Sequence, residues 1–229
     1  MKKYFSSLVA ALLVAALALS FAACGAKAGG AAGGTGTART GGAEALAAMP
    51  ASSYDYASGI SMPDFLSDDQ KDLYTAAFRI YVAYCYSDAW KPDENDSYEA
   101  PNGWGYLRDA AFENYAQLRA LLGMVFTEDY VKYLESTGRY IEGTNGGAYF
   151  LNGGVGSDIT YIDCTYEKKS ETDDALVFDI VGRFNDDAMS GEDRDPAKDY
   201  YQTFTVTLKN TDSGWRFDNF AIPDAPGLS

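Results

Sequence analysis

Between Ser67 and Leu134 apolar side chains recur every three or four residues, and from Ala148 onward they recur every second one. Ser67 with Gln70 three positions later has the form of a capping box, and Leu73, Ala77, Ile80 and Tyr84 continue on one stripe. This predicts a first helix that fades by Asp88. The polar, turn-rich run from Lys91 to Gly103 reads as a loop. Leu107, Ala111, Tyr115, Leu118, Leu122 and Val125 share a stripe and predict a second helix. Thr127 caps a short third one, with Glu128 and Asp129 near the positive end of its dipole and Gly138 as its stop.

The strand period begins at Ala148–Leu151, a short apolar segment set between glycines. Ile159–Glu167 follows, then Leu176, Phe178, Ile180 and Phe184 alternating with Val177, Asp179, Val181 and Arg183. Tyr200, Phe204, Val206 and Leu208 alternate with Tyr201, Thr203, Thr205 and Thr207, and Trp215–Ile222 closes the set. Short polar connections at Ser170–Asp174 and Asn210–Gly214 suit hairpins. The order predicts one α+β domain over 58–229: three N-terminal helices packed on a C-terminal antiparallel sheet, a meander. The six glycines of GTNGGAYFLNGGVGSD (143–158) read as turns at both ends of the first strand. A phosphate loop would need a helix after the glycines and a lysine or helix N-terminus aimed at the anion, so no nucleotide is expected.

The N-terminus has a different character. Lys2 and Lys3 precede an apolar run, Leu8 to Leu19, that is short for a membrane span and suits a signal-peptide core. Phe21-Ala22-Ala23-Cys24-Gly25 follows and is similar to the lipobox of bacterial lipoproteins. That resemblance implies removal of residues 1–23, acylation of Cys24 and an extracytoplasmic domain held to the cell membrane by its lipid. Residues 24–57 are Gly, Ala, Ser and Thr with almost no large apolar side chain, which predicts a flexible tether.

Charge and chemistry narrow the function. The chain has 18 basic and 33 acidic residues; without Lys2 and Lys3 the count is 16 against 33, a formal charge of −17. Nucleic acid is a poor partner for such a surface, whereas a cationic protein face or a metal ion is an acceptable one. Histidine is absent, which removes Ser-His-Asp and Cys-His catalysis and the common zinc sites. No cofactor and no catalytic residue are expected, and the chain reads as a non-enzyme. Cys85 and Cys164 lie in the exported domain and either pair as a disulfide or stay free.

Several side chains still compete for a role. The stretch FNDDAMSGEDRDPAKD (184–199) packs six acidic residues between two strands. Asp186, Asp187, Asp193 and Asp195 could supply oxygens to calcium, but an EF-hand fails because Ala188 and Ala197 stand where ligands are required. Asp93-Glu94-Asn95-Asp96 lacks the closing Glu of such a loop too. Asp163 and Asp179 could form an acid–base pair acting on sugars, or each could be held by a cation such as Arg183 or Arg216. Among many aromatics, Trp90 and Trp104 flank the polar loop and are the first to examine as a contact surface.

Three segments, LRALLGMVFTEDYVKYL (118–134), AYFL (148–151) and GWRFD (214–218), together resemble the DL-endopeptidase inhibitors of Gram-positive bacteria, the IseA-like family. The helix-then-meander layout also resembles the NTF2-like superfamily. The first resemblance implies a protein that binds cell-wall endopeptidases of NlpC/P60 type and blocks their clefts through an acidic surface. The resemblance names no contact residues; from its charge alone, the 184–199 stretch reads either as a solvated hairpin tip or as an acidic prong for such a cleft, formed by Asp186, Asp187, Glu192, Asp193 and Asp195. The second implies a small-ligand-binding lipoprotein of the cell envelope, with a pocket between helices and sheet.

Overall fold

In a computed structural model of the 229-residue chain, residues 41–51, 61–86, 89–101, 103–153, 156–189 and 194–224 are described. Among them run four helices and two four-stranded antiparallel sheets, an α+β arrangement. The helices are α1 (Gly42–Ala48), α2 (Asp68–Tyr86), α3 (Tyr115–Val125) and α4 (Glu128–Ser136). The first sheet takes β1 (Pro92–Glu99), β2 (Gly105–Asp109), β3 (Tyr140–Glu142) and β4 (Ala148–Leu151) in the order β1-β2-β4-β3. The second is a meander of β5 (Tyr161–Glu171), β6 (Ala175–Phe184), β7 (Tyr200–Thr211) and β8 (Gly214–Asn219). The expectation of three helices on one sheet is therefore corrected to four helices and two sheets.

The helix signals that rest on caps are realised. Ser67 N–H donates to Gln70 Oε1 at 3.0 Å while Gln70 N–H donates to Ser67 Oγ at 3.3 Å, so the two residues satisfy each other at the start of α2. Thr127 Oγ1 accepts from Tyr130 N–H at 3.4 Å and opens α4; Gly138, at φ 67°, follows that helix. The second helix starts later than its stripe suggests. Asn114 caps it through Gln117 N–H at 3.0 Å, and Leu107 lies instead in β2, paired with Phe150 of β4.

The first sheet contains the largest departures. The stretch read as a polar loop is β1, an edge strand bonded to β2 with a bulge between Asp93 and Ser97. Its backbone pairs with β2 along one side, apart from the break between Asp93 and Ser97, while its side chains stay largely in solvent, so no alternation marks it in the sequence. Pro92 at its first residue suits an edge position. The β3–β4 hairpin closes over 143–147, where Gly143 N–H donates to Gly147 O at 3.0 Å and Gly146 adopts φ 77°.

Part of the expected tether is also ordered into the fold. In α1 the Gly42 N–H donates to Asp69 Oδ1 at 2.6 Å, and Ala45 is fully buried. A Cβ on Gly42 would stand 2.2 Å from Asp69 O and 2.4 Å from Leu73 N, so the two backbones meet at a distance only glycine allows. The helix docks by close backbone approach, with Leu46 and the adjoining Met49 as its few large side chains against the core, which is why composition conceals it.

One core joins α1–α4 to the inner faces of both sheets. Leu118, Leu122 and Val125 of α3 are fully buried, each worth roughly 1.5–3 kcal/mol before ordering entropy is counted. Tyr84 lies 4.8 Å from Tyr140 of β3 and Tyr74 lies 6.1 Å from Phe217 of β8, ring centre to ring centre, so α2 touches both sheets. The α3–α4 step covers the free edge of β8: Thr127 N–H donates to Phe217 O at 2.9 Å and Thr127 Oγ1 to Asp218 Oδ1 at 2.9 Å.

Candidate functional site

The acidic stretch between β6 and β7 has a built root. Phe184 and Tyr200, the last pair of the β6–β7 ladder, stack with ring centres 5.6 Å apart. The next residue, Asn185, is fully buried. Its side-chain amide donates to Asp199 Oδ1 at 2.6 Å and Asp195 O at 2.9 Å, and its Oδ1 accepts from Asp187 N–H at 2.8 Å. Asn185 thereby ties the outgoing and returning arms together. Asp199 Oδ1 also accepts from Arg194 at 2.7 Å, with Arg183 at 3.5 Å from its other oxygen. The Asn185 amide and both guanidinium groups hold the Asp199 carboxyl below its ordinary value, against the opposing effect of burial.

Farther out, Lys198 pairs with Asp187 at 2.7 Å, and Asp195 Oδ1 caps the single 3-10 turn Pro196–Lys198 by accepting from Ala197 N–H at 3.0 Å. Asp186 is exposed, as is Met189 at 80 %. Glu192 and Asp193, the other two residues expected in the contact surface, lie outside the described residues. Among the described residues there is no group of three acidic or thiol side chains able to hold a metal ion.

Asp163 and Asp179 are not brought together as a catalytic pair. Asp163 is exposed and bridged by Arg183, whose Nε donates to Asp163 Oδ1 at 2.9 Å while a terminal nitrogen contacts Oδ2. Asp179 is buried at 9 % exposure, accepts from Thr205 Oγ1 at 2.8 Å and lies 3.2 Å from Lys169. The Thr205 hydroxyl, with help from Lys169, keeps its carboxyl below the ordinary value despite burial. Arg216, the other cation considered, instead donates from within the core to Gly123 O at 2.9 Å and Trp215 O at 2.7 Å.

The two tryptophans separate as well. Trp104 is exposed at 55 %, whereas Trp90 is buried edge-on against Phe112 at 5.3 Å and is no surface residue. Cys164 carries a free thiol, so the paired alternative is not realised there; the side chain of Cys85 lies outside the described residues. Cys24 lies outside them too. No helix among the described residues is long and apolar enough to cross a membrane.

A second site was not assembled from the sequence. A half-open cavity of about 150 Å³ lies between α2, β5 and the C-terminal segment. Tyr74 and Phe78 reach it from α2, and Tyr161, Cys164 and Tyr166 from β5. Burial pushes the Tyr74, Tyr161 and Tyr166 hydroxyls well up from their ordinary value, and hydrogen bonding to Cys164 adds to this for the last two. Tyr166 donates to Ser61 O at 2.5 Å, which ties β5 to the segment before α2.

Asp224 stands at the same cavity. Its backbone carbonyl accepts from Tyr86 Oη at 2.8 Å and from Asp158 N–H at 2.8 Å. Burial raises its carboxyl from the ordinary value; a hydrogen bond from its own backbone N–H opposes this in part, and the nearby Asp158 charge acts with burial. Tyr161 and Tyr166 were visible in the sequence only as two aromatics among many. Tyr74, Asp224 and Asn185 had no signal, because each takes its meaning from partners distant in the chain.

No protein-family model matches the chain, and no match was found among curated proteins.

Proposed function

We propose that this chain is an extracytoplasmic lipoprotein, anchored through Cys24, that binds and restrains a cell-wall DL-endopeptidase of NlpC/P60 type through the acidic loop between β6 and β7. The observation that carries the reading is the hydrogen-bonded root of that loop. Asn185 and Asp199 tie its two arms together, which reduces the ordering entropy that Asp186 and Asp187 lose on binding. A formal charge of −17, with Lys2 and Lys3 removed, would steer such a loop toward a cationic cleft. The three segments that resemble the IseA-like family belong to α3–α4, β4 and β8, and the first and third of these touch through Phe126, Thr127 and Phe217.

The test is muropeptide hydrolysis by NlpC/P60 enzymes of the host, with the full-length chain in mild detergent at low salt. Inhibition is expected, and Asp186→Asn with Asp187→Asn should weaken it by about tenfold, mainly through slower association. Undiminished cleavage at large molar excess across several such enzymes would overturn the reading. A second reading, a small-ligand-binding lipoprotein of the envelope, is favoured by one specific observation: the aromatic cavity between α2 and β5.

A further inference from the structure

We infer that the cavity between α2, β5 and the C-terminal segment binds a small organic ammonium cation, such as an N-methylated amine. This rests on the small-ligand reading of the cavity and adds the charge and chemical class of its occupant. Three observations converge on it.

The first is the wall. Tyr74, Phe78, Tyr161 and Tyr166 bring four aromatic side chains to one small space from two elements. Aromatic faces carry negative quadrupole density, and a desolvated cage of them is a recognised receptor for alkylammonium groups. The second is Asp224. The other deeply placed acidic groups are matched: Asp179 by Lys169 and Thr205, Asp199 by Arg194 and Asn185, and Asp109 by four donors. Asp224 is half-buried, has no basic partner among the described residues, and its charge is disfavoured by burial and by Asp158. A cation in the cavity would supply the missing counter-charge. The third is selectivity by omission: none of the described residues lining the cavity is basic, so an anion finds no counter-charge there and meets the Asp224 carboxyl instead.

Size and donor set narrow the class. A cavity near 150 Å³ holds a molecule about as large as benzene, which admits a trimethylammonium group and excludes a peptide or a sugar chain. A hard divalent ion would need six to eight oxygen ligands at about 2.3–2.6 Å, and one carboxyl with three phenols does not provide them. The thiol of Cys164 contributes polarizable surface to the same wall.

Calorimetric titration of the full-length chain in mild detergent tests this with two probes. One is choline; the other is its neutral carbon isostere, in which a tert-butyl group replaces the trimethylammonium. Choline should bind at least about tenfold more tightly than the isostere. Asp224→Asn should remove most of that preference while leaving isostere binding unchanged, since the variant keeps the backbone carbonyl used by Tyr86 and Asp158. Cys164→Phe, which fills the space, should abolish binding of both. Equal affinities would overturn the cation assignment and leave the cavity reading standing. A choline preference untouched by Asp224→Asn would overturn the site. If neither probe binds at millimolar concentration, both the assignment and the small-ligand reading fall.

Discussion

Asp109 and Tyr84 sit within a few ångströms of the same ring, Tyr140, and illustrate opposite outcomes of burying a polar atom. Asp109 is fully buried and accepts from Trp90 N–H at 3.2 Å, Lys91 N–H at 3.1 Å, Ala111 N–H at 3.1 Å and Tyr140 Oη at 3.1 Å. Its carboxylate ties the segment entering β1 to the turn leaving β2, at one end of the first sheet. Replacing it with alanine strands two buried donors, Trp90 N–H and Tyr140 Oη, and two part-buried ones; each buried donor costs about 1–3 kcal/mol when nothing relaxes, so Asp109→Ala should lose about 3 kcal/mol or more in urea unfolding. Tyr84 is buried with a hydroxyl that has no hydrogen-bond partner among the described residues. Burial pushes that phenol well up, helped by Tyr115 and Glu135, so it stays a protonated donor with no acceptor. Tyr84→Phe should therefore leave stability unchanged or raise it by up to about 1 kcal/mol in the same measurement. A loss of several kcal/mol would show that the hydroxyl has a partner after all.

At the scale of elements, legibility followed the source of each element's stability. The meander could be read because β6 and β7 each have one buried face, and α2 and α4 because a stripe and a cap agree; α3 is legible from its stripe alone, which begins it before its Asn114 cap. The first sheet could not. β1 is made of PDENDSYE, which joins the sheet through backbone pairing to β2 while its side chains largely face water, and Leu107 with Ala111 mimics the four-residue step of a helix. Likewise α1 is held by backbone approach, which no hydrophobic pattern records. Its docking makes a prediction. Gly42→Ala places a methyl against Asp69 O and Leu73 N, neither of which can yield without disturbing α2. Amide exchange over 42–48 should then rise to that of an open segment, with less than about 1 kcal/mol of protection left, while the β6 and β7 amides keep theirs. Unchanged exchange in α1 would mean the helix docks by other contacts.

Across the whole molecule, the two candidate sites place carboxyl groups in opposite electrostatic settings, and stability against pH separates them. Neither setting could be read from the sequence, where Asp199 and Asp224 are two acidic residues among 33. Asp199 is held below its ordinary value of 3.8, so its contribution is present above that value and is lost as pH falls through the lower folded-state value. Asp179 behaves in the same sense. Asp224 is raised, chiefly by burial, so its ionised form costs stability at neutral pH. That cost disappears as pH falls through the raised value toward 3.8. An Asp224→Asn chain is neutral at this position at every pH. In an amine-free buffer it should melt above the unsubstituted chain at pH 7, and the gap should narrow through the weakly acidic range and close by about pH 4. Adding choline at pH 7 should raise the melting temperature of the unsubstituted chain more than that of the variant, because the ligand supplies the counter-charge that the substitution makes unnecessary. A gap that stays constant from pH 7 to pH 4 would show that Asp224 is solvated, and would remove the charge on which ammonium binding depends.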